Sequence, residues 1–272
     1  MSQKSLTARG NANLPQDPRK AGEGGLLMST RTIIQYAAGM ALALAVLTAC
    51  SGGDVNVGSP NVNGVRNWPW PWPSNAPFIA RRVVDREVQI EDHIRMSLEA
   101  MNGEIVIIGQ PDAMSVIVTE ELRVGSHVNQ ADADDGLDQL EVLVTDSSDE
   151  ILVQTQQPED TQGRQYVVNY TITVPSDLEV DVHQVNGSIV VEDMANSVLV
   201  KVVNGHIDLR IPTSTSAELS AFVDNGTITW DNLDLVDVVH TNHALTGTLG
   251  SGAGVIWLET TNGSIDMIGV DG

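Results

Sequence analysis

The residues able to do chemistry are few and scattered. Six histidines stand among 36 acidic and 14 basic residues. His240 and His243 lie three apart, beside Asp237 and Asn242. Imidazoles at this spacing suit a zinc ion, yet no further ligand completes a tetrahedral set. The run "QADADDGLDQLE" (130–141) gathers Asp132, Asp134, Asp135 and Asp138. That oxygen density suits Ca²⁺, but the spacing departs from the EF-hand loop, so the run is read as an acidic surface loop. Cleaving a glycoside asks for paired carboxylates, and in so acidic a chain pairs arise by chance. There is no G-x-S-x-G elbow, no H-E-x-x-H and no P-loop. The expectation is therefore no catalytic residue, no metal and no cofactor: a protein that is not an enzyme.

Cys50 is the only cysteine, which excludes an internal disulfide and any C-x-x-C metal motif. Before it runs "IIQYAAGMALALAV" (33–46), then Leu47-Thr48-Ala49. The run is short for a spanning helix, which needs about 20 apolar residues. With Arg31 ahead of it, it has the parts of an export signal in order. Leu-Thr-Ala-Cys resembles the lipobox of bacterial lipoproteins. That resemblance implies cleavage before Cys50 and a lipid on its thiol, so that the protein meets the membrane through this residue. Met28 opens "MSTRTIIQ", a normal signal start, so 28–49 is read as the signal peptide and 1–27 as a mis-assigned extension. Ser51, where an aspartate would imply retention at the inner membrane, points to the outer membrane or cell surface.

Residues 50–66 are rich in Gly, Asn, Ser and Val and read as a flexible tether. The segment 67–78, "NWPWPWPSNAPF", reads as an extended polyproline-II rod. Its Trp68, Trp70 and Trp72 either pack back on the domain or stack on sugars or the membrane interface. Five of the 14 basic and two of the 36 acidic residues precede residue 50, which leaves 9 against 34 after it. This excess of acid excludes nucleic acid as a partner and electrostatic docking on anionic lipid.

Residues 79–272 repeat. Asn-Gly recurs at Asn102-Gly103, Asn186-Gly187, Asn204-Gly205, Asn225-Gly226 and Asn262-Gly263. Two places after the glycines stand Ile105, Ile189, Ile207, Ile228 and Ile265. Apolar residues also stand four places after each glycine, and five and seven places before it. Apolar residues at every second place mark strands with one buried face. Asn-Gly between them is the strongest short-range signal for a tight turn. Each unit is thus read as strand, Asn-Gly turn, strand, with the isoleucines forming a core ladder. His206, one place after its glycine, falls where other units carry Ser188, Thr227 and Ser264, and is read as a surface residue. Between Gly103 and Gly187 there is room for about four units of some 20 residues. The fold expected is all-β: a repetitive β-solenoid, or alternatively an antiparallel β-sandwich of hairpins.

The stretch "YVVNYTITVPSDLEVDVHQVNGSIVV" (166–191) resembles the bacterial putative-adhesin domain of unknown function, as does "LEAMNGEIVIIG" (98–109). The resemblance covers about 85–270. It implies a β-helix-like fold on an envelope protein and offers no catalytic residues. The function expected is a lipid-anchored surface-binding or scaffold module with an envelope protein or glycan as partner. An envelope-stress sensor is the alternative, and a β-helix polysaccharide enzyme a more remote one.

Overall fold

The structure is a computed structural model that describes residues 76–271. The extension, signal, Cys50, tether and Trp68, Trp70 and Trp72 lie outside the described residues. Among the described residues, twelve strands and one helix follow in order: β1 (Phe78–Gln89), β2 (Arg95–Gln110), β3 (Ser115–Ser126), α1 (Gln130–Leu137), β4 (Glu141–Asp146), β5 (Glu150–Gln156), β6 (Gln165–Pro175), β7 (Glu179–Glu192), β8 (Val198–Pro212), β9 (Ala217–Asp231), β10 (Leu235–His240), β11 (Ala244–Leu249) and β12 (Gly254–Val270). The described residues are all-β apart from this short helix, and their strands form one mixed sheet.

At the centre, β2, β7, β8, β12 and β9 lie side by side, parallel and in register. The five Asn-Gly pairs align across them, from Asn102 through Asn186, Asn204 and Asn262 to Asn225. On the outer side of β2, β5 pairs with its first half and β6 with its second. Antiparallel strands finish both ends. β4 lies on β5, β3 and then β1 on β6, and β11 and then β10 on the first half of β9.

The Asn-Gly pairs therefore do not reverse the chain, as a turn would. Each sits inside one continuous strand. A two-residue I′ hairpin needs φ > 0 at both central residues. Here Gly103, Gly187, Gly226 and Gly263 have φ of +139° to +153°, whereas none of the five asparagines has a positive φ. The pairing skips one residue just before each asparagine, for example Met101 and Val185. In β2 the buried places change from even (Met96, Leu98, Ala100) to odd (Ile105, Ile107) across that skip. A one-residue slip in a flat strand would turn the second half's apolar side outward. A bend at the skip lets both legs of the strand face one core.

That core is continuous from end to end. Ile105, Ile189, Ile207 and Ile265 are fully buried and Ile228 is 8% exposed. Burying such a side chain stabilises the fold by about 1.5–3 kcal/mol. Of the other apolar places of the repeat, only Trp230, on the last rung, is not fully buried.

Two further expectations differ from the structure. The stretch between Gly103 and Gly187 holds β3 to β6 and α1, not four more units. Of these, β5 and β6 together make one rung, with residues 157–164 between them where other rungs have their bend. The acidic run 130–141 is not a loop. Its first part is α1, whose N-cap Asn129 accepts a hydrogen bond from the Asp132 N–H at 2.8 Å.

Candidate binding face

The Asn-Gly bend is a stacked polar column. The Asn186 side chain donates to Asn102 Oδ1 at 2.8 Å, Asn204 to Asn186 at 2.8 Å, Asn262 to Asn204 at 2.8 Å and Asn225 to Asn262 at 3.0 Å. Asn102 closes the series on the Tyr166 carbonyl at 3.2 Å. The glycines stack beside them. A Cβ on Gly187 would lie 1.7 Å from the Gly103 carbonyl oxygen, and one on Gly205 or Gly263 would be equally close to the oxygen before it. The Gly103 carbonyl is also capped by the buried Gln184 amide at 2.7 Å. The column positions the legs rigidly. Its amides are spent mainly on one another, so it is read as architecture.

On the second leg the outward places carry a polar cluster. His206 Nδ1 lies 2.8 Å from Ser264 Oγ, and Nε2 lies 3.4 Å from an Asp266 oxygen. Arg210 donates to Asp208 at 2.8 Å and to Glu192 at 2.6 Å, and Thr229 donates to Asp266. His206 is not the surface residue expected: it stands on the outward side of its strand but is only 4% exposed, with Ser264 and Asp266 of β12 packed around it. Serine, histidine and carboxylate are the parts of a nucleophilic triad. Catalysis by one also needs free N–H donors for an oxyanion. Ser264 sits on β12 between two parallel neighbours, so the surrounding amides are committed to the ladders. The cluster reads as cross-strand pairing on a flat face.

On the first leg the outward places are different. Trp257 of β12 is 42% exposed and stacks on Phe222 of β9, with ring centroids 4.9 Å apart and planes tilted by 42°. Val255 beside it is 44% exposed, and Leu199 of β8 lies opposite Trp257 across the ladder. Lys201 and Glu259 pair at 2.7 Å along the next row. An aromatic pair with an aliphatic surround and a charged rim is thus held on a rigid sheet. The inward pattern that reveals the core hides these residues. The signal for them is large apolar residues at the alternate, outward places of the same repeat.

The metal candidates do not assemble. His240 packs edge-on against Trp230 at 4.9 Å, and His243 Nδ1 faces the Val223 carbonyl at 3.2 Å. Asp132 is engaged by Arg164 at 2.8 Å and Ser126 at 2.6 Å, and this pairing holds its carboxyl below the usual range. Among the described residues no group of three His, Cys, Asp or Glu is placed to hold a metal ion. No helix of the described residues is long and apolar enough to cross a membrane.

No family model matches the chain, and no curated protein matches it. Among solved structures it is similar to one of a putative cell adhesion protein from Clostridium sporogenes. The likeness has 10% identity and a TM-score of 0.41, over 70% of this chain and 100% of that one. It is also similar to a putative adhesin from Bacteroides fragilis, with 8% identity and a TM-score of 0.25 over 68% and 97% of the two chains. A third, a putative adhesin from Parabacteroides merdae, has 8% identity and a TM-score of 0.24 over 68% and 81%. Likenesses this loose carry no argument about what the chain does.

Proposed function

We propose that this chain is a non-catalytic, adhesin-like binding module, held in the bacterial envelope by a lipid on Cys50. Its parallel rungs act as a short solenoid whose outward face meets a protein partner. The observation that carries this reading is the Trp257–Phe222 pair. Tryptophan is enriched among the residues that dominate interface energies, particularly where an apolar centre has a charged rim. Leaving a large ring on a flat face costs solvation that a partner would relieve. The in-register ladder beneath it lowers the ordering cost of binding. The sequence Leu47-Thr48-Ala49-Cys50 supports the anchor.

The test is a pull-down from solubilised envelope with the full lipidated chain, followed by affinity measurement on any protein retained. Trp257→Ala should weaken that affinity by about 2 kcal/mol, roughly 30-fold. It should leave folding intact, because the side chain is largely on the surface. Equal retention by Trp257→Ala would refute this face. In the same preparation Cys50→Ala should lose fatty-acid labelling and membrane fractionation, and keeping both would refute the anchor.

A further inference from the structure

The last rung is closed on one leg and open on the other. β9 pairs with β12 along both legs, but β11 covers only Ala217–Phe222. A hydrogen bond from the Val223 N–H to the His243 carbonyl, 2.9 Å, ends that cover. From Asp224 to Asp231 no described strand lies on the outer side of β9. Gly226 shows the result directly. A glycine exposes only backbone, and Gly226 is exposed where Gly187 and Gly205 are buried. Thr227, Thr229 and Asp231 are exposed as well, and Ile228 is the one isoleucine of the ladder that is not fully buried. The asparagine column also stops here. Asn225 donates to Asn262, and among the described residues none donates to its own Oδ1.

An unpaired strand edge is a template for a further strand, so folded proteins guard it with short length, bulges, proline, lysine or a covering element. The other outer strands are guarded. β4 and β10 have six residues each, and β10 is bulged between Val236 and Val239. Helix α1 is tied to β1, with the Gln130 amide on the Ile79 carbonyl at 3.2 Å and Arg82 on the Leu137 carbonyl at 3.1 Å. The stretch from Asn225 to Trp230 has none of these devices. Its Thr227-Ile228-Thr229-Trp230 is β-branched and aromatic, the composition that suits a paired strand.

We propose that this edge takes an extended, basic segment of a partner protein as an added strand. In strand addition the main chain supplies the hydrogen bonds and alternate side chains supply the choice of partner. The charge of the segment follows from the strands around the edge. Residues 211–272 contain eight aspartates and glutamates and no lysine or arginine. Asp224 and Asp231 stand exposed at the two ends of the open edge. Basic side chains of the segment would meet them, and complementary charge steers such encounters. A second copy of this chain fits less well. Antiparallel self-pairing of residues 224–231 sets Asp224 of each copy opposite Asp231 of the other, and like charges directly opposite destabilise a strand pair. The edge lies across the Asn-Gly bend from the Trp257–Phe222 pair, so the inference goes beyond that face and does not rest on it.

The experiment is calorimetric titration with hydrogen exchange on the full chain in neutral detergent. The probe is a short capped peptide of alternating lysine and valine. It should bind in the micromolar range, and more weakly as salt is added. Amides of residues 225–231 should exchange more slowly in its presence. Asp224→Asn with Asp231→Asn should weaken binding by about tenfold. Both side chains are exposed, so an unchanged thermal melt separates lost binding from lost folding. The same peptide N-methylated at two adjacent central residues keeps its charge but loses the pairing donors, and should not bind. Trp257→Ala should bind as the parent does. The proposal fails if the lysine peptide does not bind, or if the double variant binds as the parent does. It also fails if the N-methylated peptide or an alternating glutamate–valine peptide binds equally well, or if protection falls outside residues 225–231. Sedimentation showing a dimer that protects these amides without peptide would give the edge to a second copy and equally overturn it.

Discussion

At the scale of single residues, the recurring asparagine is explained by its side chain more than by its backbone. Each amide donates to the rung before and accepts from the rung after, so a central asparagine makes two column bonds. Asn204→Ala leaves the acceptor of Asn186 and the donor of Asn262 without partners and should cost about 2 kcal/mol. Asn225 ends the column, is exposed and makes one such bond, so Asn225→Ala should cost less than about 1 kcal/mol. Urea unfolding with an unchanged slope would measure both, and equal losses would contradict the column. The inward residues were legible because alternation reports burial directly, as at Ile189 and Ile207. The role of Asn-Gly was not. Its hairpin signal comes from a conformation with both residues at positive φ, and here only glycines adopt it. The close approach of the Gly187 carbonyl to Gly205 arises between two neighbouring rungs, β7 and β8, so the pattern within one rung does not reveal it.

At the scale of elements, the ends of the stack were the least legible. Helix α1 has a weak helix-forming sequence, and a short helix takes most of its stability from packing. Ala133 and Gly136 are its buried residues, and a Cβ on Gly136 would lie 2.8 Å from Val124. That packing, and the Arg164–Asp132 pair, join segments far apart in sequence. Glu120 interrupts the alternation of Val116, Val118, Leu122 and Val124, a local signal that lies outside the Asn-Gly repeat and was not picked out by it. Two carboxyls at this end give opposite pH dependences. Burial raises Glu120, so its contribution to stability is lost as pH rises above the ordinary glutamate value of 4.5. The Arg164 and Ser126 hydrogen bonds lower Asp132, so its contribution is present above the ordinary 3.8 and lost as pH falls. Chemical unfolding across pH should show Glu120→Gln gaining on the parent chain as pH rises past 4.5. Asp132→Asn should lose to it at neutral pH, with the difference shrinking in acid. A pH-independent gap for Glu120→Gln would contradict the buried-charge account.

At the scale of the whole molecule, the order of rungs departs from the order of the chain. β8 and β9 are consecutive, yet β12, the last strand, lies between them and pairs with both over its two legs. The Asn-Gly spacing predicts a common register but does not say which rung neighbours which, because parallel partners share one pattern. The proposed face depends on this insertion, since it brings Trp257 of β12 beside Phe222 of β9 and Leu199 of β8. The most direct test is disulfide closure in a Cys50→Ala background. Lys201 and Glu259 are opposite one another on β8 and β12, so Lys201→Cys with Glu259→Cys should oxidise to an intramolecular disulfide under mild conditions. In an Asn204-Gly205 hairpin, Leu199 would instead face Arg210. The account predicts closure of the first pair and none for Leu199→Cys with Arg210→Cys. The reverse result would contradict the parallel column and the face built on it.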